Sequence, residues 1–530
     1  MIFLMKALRF TLNVIILVLC ACRSVSATET PPPTATTLRV VVSPGTLVPT
    51  LDRIVQPIAQ NVSASPAPSA APGLTPSACP TTVTTGSAAQ HTVEAELDYA
   101  NRTVQVAQQT RFQNRTNQPF ETIVFNFEPN RFPQVVTMES IRLNDGQPVS
   151  YELTGRRLTI EFSQPLLPGC TAALDLAFSL NIPPVGAGVN GYTGYFGYTD
   201  RQLNLAQWLP TVAVRVGGEW ITHEVIGIGE QVVADTADWD LTLEVVNSPE
   251  DLRLAAPGTV ESALNQWRVV SLEARDLALS LSDRFNVSSR TASNGTLVEL
   301  YTFSDTLVQT DNGVVDGAVD ALRWASQAIG MFSDLFGSYP QNRFVVVEGD
   351  FPDGMEFSQF VFVSDDWFRT YNGTPQSYLA IITIHEVAHQ WWFNRVGSDP
   401  ALTPWLDEAL ATYSEYIFYE EFYPELKDWW WAFRVDTFAP PSFTGAPVDS
   451  TVYQFGTIRE YINAVYLRGA RMLHALRSDL GTEAFFEWLR RYSDAGRGRV
   501  VSPDVLWSML SPEQLELTAE TRARYLRHAP

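Results

Sequence analysis

The chain has 530 residues, 45% of them hydrophobic and 12% aromatic, and a formal net charge of −22. That apolar content excludes disorder over most of its length and is enough for two or three domains. The acidic balance repels phosphate backbones and argues against a nucleic-acid partner.

The chain opens MIFLMKALRFTLNVIILVLCACRSVS. Lys6 and Arg9 make a short positive region, and Phe10 to Leu19 is an apolar run too short for a stable membrane span. This predicts a signal peptide over residues 1–22. The stretch Leu19-Cys20-Ala21-Cys22 resembles a bacterial lipobox, in which the last cysteine is lipidated and becomes the mature N-terminus. A plain signal peptide or an uncleaved anchor are the other readings. Each exports the bulk of the chain, and the lipobox reading anchors it through Cys22 to a bacterial membrane. Cys79 and Cys170 remain as an even pair in an oxidising compartment, so either a disulfide between them or two unpaired thiols is open.

Residues 23–90 are rich in Pro, Ser, Thr and Ala, as in SASPAPSAAPGLTPSACP. Such a segment buries too little apolar surface to fold and is predicted to be an extended tether. Over 91–289 the pattern turns to short alternating runs, TVEAELDYA, TIVFNFEP, LTIEFSQPL and WDLTLEVVN, bounded by Gly, Pro, Asn and Asp. That is strand periodicity at sandwich spacing, and it predicts an antiparallel β domain. Over 290–530 helical spacing dominates. VVDGAVDALRWASQAIGMFSDLFG reads as a helix ending at Gly337, and RFVVVEG and GMEFSQFVFVSD read as strands. YLAIITIHEVAHQWWFN, WLDEALATYSEYIFYEEF and IREYINAVYLRGARMLHALRSDL read as long helices. The fold class is therefore α+β multidomain.

Two of the six histidines fall in His385-Glu386-Val387-Ala388-His389. Residues four apart share one helix face, so both imidazoles can reach one metal ion at about 2.0–2.1 Å. Glu386 then stands beside the metal rather than on it, placed to take a proton from water. The pattern is moderately specific on its own, because paired histidines also occur on core helices. His223-Glu224 has no second histidine at that spacing. A catalytic zinc takes three protein ligands, and the loop RVGSDPALTP leads to a second helix bearing Asp407 and Glu408. Eighteen residues lie between His389 and Glu408, and a helix–loop–helix of this length can fold back to deliver it.

HEVAHQWWFN followed by WLDEALATYSE resembles the gluzincin zinc aminopeptidase family, the membrane alanyl aminopeptidase and leukotriene hydrolase type. The resemblance implies one Zn²⁺ held by His385, His389 and Glu408, with Glu386 as the catalytic base. FPDGMEFSQF resembles the family's Gly-x-Met-Glu-Asn strand, which makes Gly354, Met355 and Glu356 substrate-binding residues and gives Glu356 the free amine of a peptide. VYLRGARML resembles a Tyr-x-Lys-Gly segment, which makes Tyr466 the donor to the oxyanion. The chain departs from the family at Phe393 for Gly, Phe357 for Asn and Arg468 for Lys. The resemblance also implies an N-terminal β-sandwich-like domain, a mainly helical thermolysin-like catalytic domain, and a more open site if no further helical domain follows. Three rivals remain: a zinc endopeptidase, an inactive surface module of the same fold, and an epoxide hydrolase. Asp407 and Glu415 are open between orienting the ligand imidazoles and plain helix-surface charge. The cluster of Trp391, Trp392, Trp405, Trp429, Trp430 and Trp431 reads as core and pocket wall. Side-chain preference, natural substrate and oligomeric state leave no trace in the sequence.

Overall fold

The computed structural model describes residues 87–143, 146–186, 194–310 and 313–528. The expected signal peptide, Cys20, Cys22, Cys79 and nearly all of the tether lie outside the described residues. All of the described residues belong to one compact unit, 76–530.

The alternating runs form strands because period-two patterning gives each strand one apolar face. Seven of them make the largest sheet: β1 Ala89–Asp98, β2 Thr103–Gln113, β3 Val136–Leu143, β4 Thr171–Asn181, β5 Ala237–Val246, β6 Thr259–Ala263 and β7 Gln266–Ala274. Their order is β6-β7-β5-β1-β2-β4-β3. A four-stranded sheet built around Phe120–Asn126 and Arg157–Leu166 faces the same core. One pair departs from the antiparallel pattern: β1 and β5 run parallel along their whole length.

A second, mixed sheet follows: β8 Asn286–Thr291, β9 Leu297–Thr302, β10 Arg343–Gly349, β11 Gly354–Phe357 and β12 Phe360–Ser364, in the order β8-β9-β10-β12-β11. It is the shared wall of two cores. Val345, Val347, Phe360 and Phe362 point into the β-rich core, while Phe344, Val346, Val361 and Val363 point into the helical core. Burial on both faces explains why RFVVVEG is apolar without alternation. β10 pairs parallel with both neighbours, and β11 closes the sheet antiparallel to β12 as an edge.

Helices cover the other face. α1 Gly317–Phe336 starts at Asp316, whose carboxylate accepts from Ala318 N, and ends at Gly337 with φ +109°, the left-handed conformation that glycine tolerates. α2 Tyr378–His389 is capped by Ser377 and is almost wholly buried. α3 Trp405–Phe422 follows Pro404, with Asp407 and Glu408 in its first turn, where the helix dipole favours negative charge. α4 Arg468–Leu480 packs across α3. Trp391, Trp392, Trp405 and Trp430 are buried core residues, and Trp429 and Trp431 are partly buried against them. Among the described residues no helix is long and apolar enough to cross a membrane.

Glu348 is fully buried in β10, where its Oε2 accepts from Phe303 N at 2.7 Å and the Asp305 carboxyl lies beside it. Burial pushes this carboxyl up to about 8. The folded state therefore holds a proton that the unfolded chain releases above its ordinary carboxyl range. The stabilisation this gives is complete below the unfolded value and is lost as pH rises through the folded one. The melting temperature is expected to fall between about pH 5 and pH 8, and Glu348→Gln to flatten that fall. Calorimetric melts of both proteins across this range check it.

Candidate metal centre

The histidine helix sits between the β11 edge and α3. Its spacing brings the two imidazoles together, with ring centroids 4.7 Å apart. Pro404 turns the chain back so that α3 begins opposite them. Glu408 Oε2 then lies 3.3 Å from His385 Nε2 and 3.7 Å from His389 Nε2. His385, His389 and Glu408 each offer one ligand atom, all within 4.8 Å of one another. The residues singled out from sequence as metal ligands are thus brought to one point.

The other ring nitrogens are occupied. His385 Nδ1 pairs with Glu415 Oε1 at 2.8 Å, and His389 Nδ1 with Asp407 Oδ1 at 2.6 Å. In a neutral ring, donation from Nδ1–H to a carboxylate frees Nε2 to act as a ligand on the side of Glu408. This settles the role the sequence left open for Asp407 and Glu415. Glu415 is itself fixed by Trp430 Nε1 at 3.1 Å and by the Arg434 fork at 3.0 Å to each oxygen.

Glu386 is buried and its Oε2 has no partner. Burial, followed by the charges of Glu356 and Glu408, pushes it well above the usual carboxylate range. Gly354 explains how it fits: a Cβ there would come within 2.2 Å of Glu386 Oε1. Glu356 is buried on β11, and one ligand atom each from Glu356, Glu386 and His389 also lie within 4.8 Å of one another. Burial pushes Glu356 up to about 8, against the opposing pull of His389. Met355 points the other way, into the β-rich core. Tyr466 is half-buried and stacks on His385, with ring centroids 5.9 Å apart and planes 6° off parallel. It lies in a π-helical stretch, Ile462–Leu467. A second π-helical stretch, Gln390–Arg395, follows the histidine helix directly. Such bulges concentrate at functional sites.

Burial alone would raise Glu408, yet its hydrogen bond with His385, the charge of His389 and the hydrogen bond with Tyr466 hold it below the ordinary range. Burial alone would lower His385, but its bonds to Glu408 and Glu415 lift it well above. Glu230, half-buried on the loop that leads into β5, was not visible in the sequence. Burial and then the charges of Glu356, Asp407 and Glu408 push it well above its ordinary value. His223, without a partner histidine, is bound instead by Asp399 at 2.7 Å. Arg468 donates to the backbone oxygens of Ala446 at 2.9 Å and Arg524 at 2.9 Å. His474 meets Tyr413 Oη at 3.1 Å among Trp431 and Tyr416.

The donor set fits a divalent cation. Glu356, Glu386, Asp407, Glu408 and Glu415 are all buried around two imidazoles, with Arg434 as the balancing charge behind Glu415. This collection lacks positive charge, and two imidazole nitrogens with one carboxylate suit zinc.

Residues 321–521 match the model described as "Peptidase family M1 domain". This part of the chain is similar to that family. Among relatives, the chain is 30% identical over 136 residues to "Aminopeptidase M1-A" of Oryza sativa subsp. japonica, covering 25% of this chain and 16% of that protein. It is 30% identical over 152 residues to "Endoplasmic reticulum aminopeptidase 2" of Homo sapiens, covering 28% and 16%. The chain thus spans about one sixth of the length of these relatives. The crystal structure of an M1 zinc metallopeptidase from Deinococcus radiodurans covers 83% of this chain and 94% of its own, with a TM-score of 0.57 and 18% identity. At that identity the likeness is one of fold, and it extends through both the β-rich and the helical regions. Every residue singled out from sequence for the site, from Gly354 to Tyr466, lies within the matched residues 321–521.

Two outcomes follow for this domain. Glu415→Gln is expected to weaken divalent metal binding by about 10–100-fold, read by titration against a chelating indicator. Gly354→Ala is expected to displace Glu386 with little change in metal affinity, read by a crystal structure and the same titration.

Proposed function

We propose that the chain is an exported zinc aminopeptidase that removes the N-terminal residue from peptides. The observation that carries this reading is the buried Glu356 on the edge strand, next to the His385–His389–Glu408 cluster. A carboxylate at that place pairs with a cationic amine. It also sets the register, because an amine held there leaves room for one residue before the bond at the metal centre.

When bound by His385, His389 and Glu408, Zn²⁺ supplies Lewis acidity toward the scissile carbonyl and lowers the pKa of water at the site. Glu386 takes the proton from the attacking water and later delivers it to the leaving amine. Its unpartnered Oε2 suits a group that must take up and then pass on a proton. Tyr466, stacked on His385 beside Glu408, is placed to donate to the oxygen on which negative charge develops. Glu356 binds the substrate amine and so orients the first peptide bond. Asp407 and Glu415 hold the imidazoles in the required tautomer.

An endopeptidase has no use for a buried carboxylate at position 356, and an inactive module has none for Glu386. The leader pattern supports the rest of the reading: export, a lipid anchor on Cys22 at a bacterial membrane, and a Cys79–Cys170 disulfide. The division into β and catalytic domains belongs to it as well, with the boundary ahead of β8, because Asn286–Thr291 is one strand of the mixed sheet and a cut between 289 and 290 would split it.

Hydrolysis of a panel of aminoacyl-arylamides, with and without a chelator, tests the proposal. Activity is expected on free-amine substrates, abolished by the chelator and far weaker on N-acetylated ones. Glu386→Gln is expected to lower kcat by about 10²–10⁴-fold with zinc still bound. Glu356→Ala is expected to lose most of the preference for a free amine. Cleavage of N-blocked peptides at internal bonds would instead establish an endopeptidase.

A further inference from the structure

The strand that carries Glu356 is bracketed by two non-glycine residues in left-handed backbone. Asp353 precedes it with φ +72°, and Gln359 follows it with φ +64°. β11 joins β12 through a two-residue turn, Ser358–Gln359, with Phe357 opposite Phe360. Tight hairpins favour positive φ at the first central residue or at both. Here only the second is left-handed, and glutamine lacks the short side chain that eases this conformation for Asn or Asp. Such a turn persists only where its surroundings over-determine it.

They do so here from two directions. From the β-rich region, Asp276 Oδ1 accepts from Ser358 N at 3.1 Å, and its Oδ2 accepts from Ser358 Oγ at 3.3 Å. From the histidine helix, Gln390 Oε1 accepts from Gln359 N at 2.8 Å, and its Nε2 donates to Phe357 O at 3.0 Å. Gln359 Nε2 donates in turn to Leu272 O at 2.9 Å. Ser358 and Gln359 are fully buried, so water does not compete for these bonds. Gln390 directly follows the ligand His389. Glu356, by contrast, sits on an edge strand paired on one side only. An edge strand is free to shift, and a slip of one residue would turn Glu356 to the opposite face.

We propose that the Ser358–Gln359 turn is a register clamp, in which Asp276 and Gln390 are positioning residues that fix Glu356 against His389 and thereby set the selectivity for a free amine. The clamp rests on the reading of Glu356 as the amine-binding carboxylate. It makes that selectivity depend on a residue of the β-rich region that does not touch the substrate.

The test uses the full chain with zinc bound. Gln390→Met removes both bonds at nearly constant volume. Asp276→Ala removes the second anchor, and Asp276→Asn keeps an acceptor for Ser358 N. Three quantities are measured: bound zinc, the ratio of kcat/KM on leucyl-arylamide to that on its N-acetyl form, and calorimetric binding of L-tryptophan against N-acetyl-L-tryptophan. Gln390→Met and Asp276→Ala are expected to lower both preferences by about tenfold or more, with zinc unchanged and no further loss in a Glu356→Ala background. Asp276→Asn is expected to restore most of the preference lost in Asp276→Ala. Preferences intact in both variants, with only the melting temperature lowered, would overturn the clamp while leaving the amine reading standing. Loss of zinc in Gln390→Met would overturn the role of Gln390, and the Asp276 pair would then decide alone. A Glu356→Ala variant that keeps its preference would overturn the amine reading and the clamp with it.

Discussion

Burying negative charge is the constraint around which the catalytic half of this molecule is arranged. Five carboxyl groups and two imidazoles sit where water is nearly absent, and each unpaired charge there is costly. The fold answers in layers. Glu415 is balanced by Arg434 and held by Trp430 and His385, and Asp407 is hydrogen-bonded to His389. These pairings consume the Nδ1 side of both rings. The groups left without a balancing cation are concentrated on one side: the two Nε2 atoms, Glu408, Glu386 and Glu356. A cation and a substrate amine would supply the positive charge that this remainder lacks. The chemistry of the site is the part of the charge balance that the protein leaves open.

The mixed sheet converts this local balance into geometry. Its central strands are buried on both faces and cannot shift without repacking two cores. Its edge strand presents Glu356 to the histidine helix, and Gly354 lets the backbone approach until Glu386 fits against it. Trp392 Nε1 reaches Ser414 Oγ at 3.0 Å, which ties the segment after α2 to the middle of α3. The helix that carries His385 and His389 and the helix that carries Glu408 are therefore held together by packing.

The sequence showed those parts of the site that are local. An i,i+4 pair of histidines is a property of one helix, and the count to Glu408 needed only a loop and a turn. Two-residue and helical periodicity separated the β-rich from the helical region. Contacts set by tertiary register were not visible. Asp407 and Glu415 read like any acid on a helix, because their meaning depends on how α3 lies across α2. Glu230 sits in a loop with no motif. The π-helical stretches leave no spacing signal, since one inserted residue breaks the helical count where it matters. The parallel pairing of β1 with β5 joins strands far apart in the chain, and alternation alone does not record strand direction.

The departures from the family pattern show how the site tolerates change. Phe357, where an asparagine is usual, is fully buried in the β-rich core against Tyr195, Phe360 and Phe362. Its side chain leaves the site, and only its carbonyl serves the turn. Phe393 likewise contributes its carbonyl, which accepts from Arg275 Nε at 2.6 Å. Arg468 turns its fork to backbone oxygens of the C-terminal segment and stacks over Tyr525. The Phe357 side chain serves packing and that of Arg468 bracing, while Phe393 contributes its carbonyl. The residues that face the centre are the ones that match. A side chain can be exchanged here when its contribution is volume, but not when it carries one of the charges that the buried centre must balance.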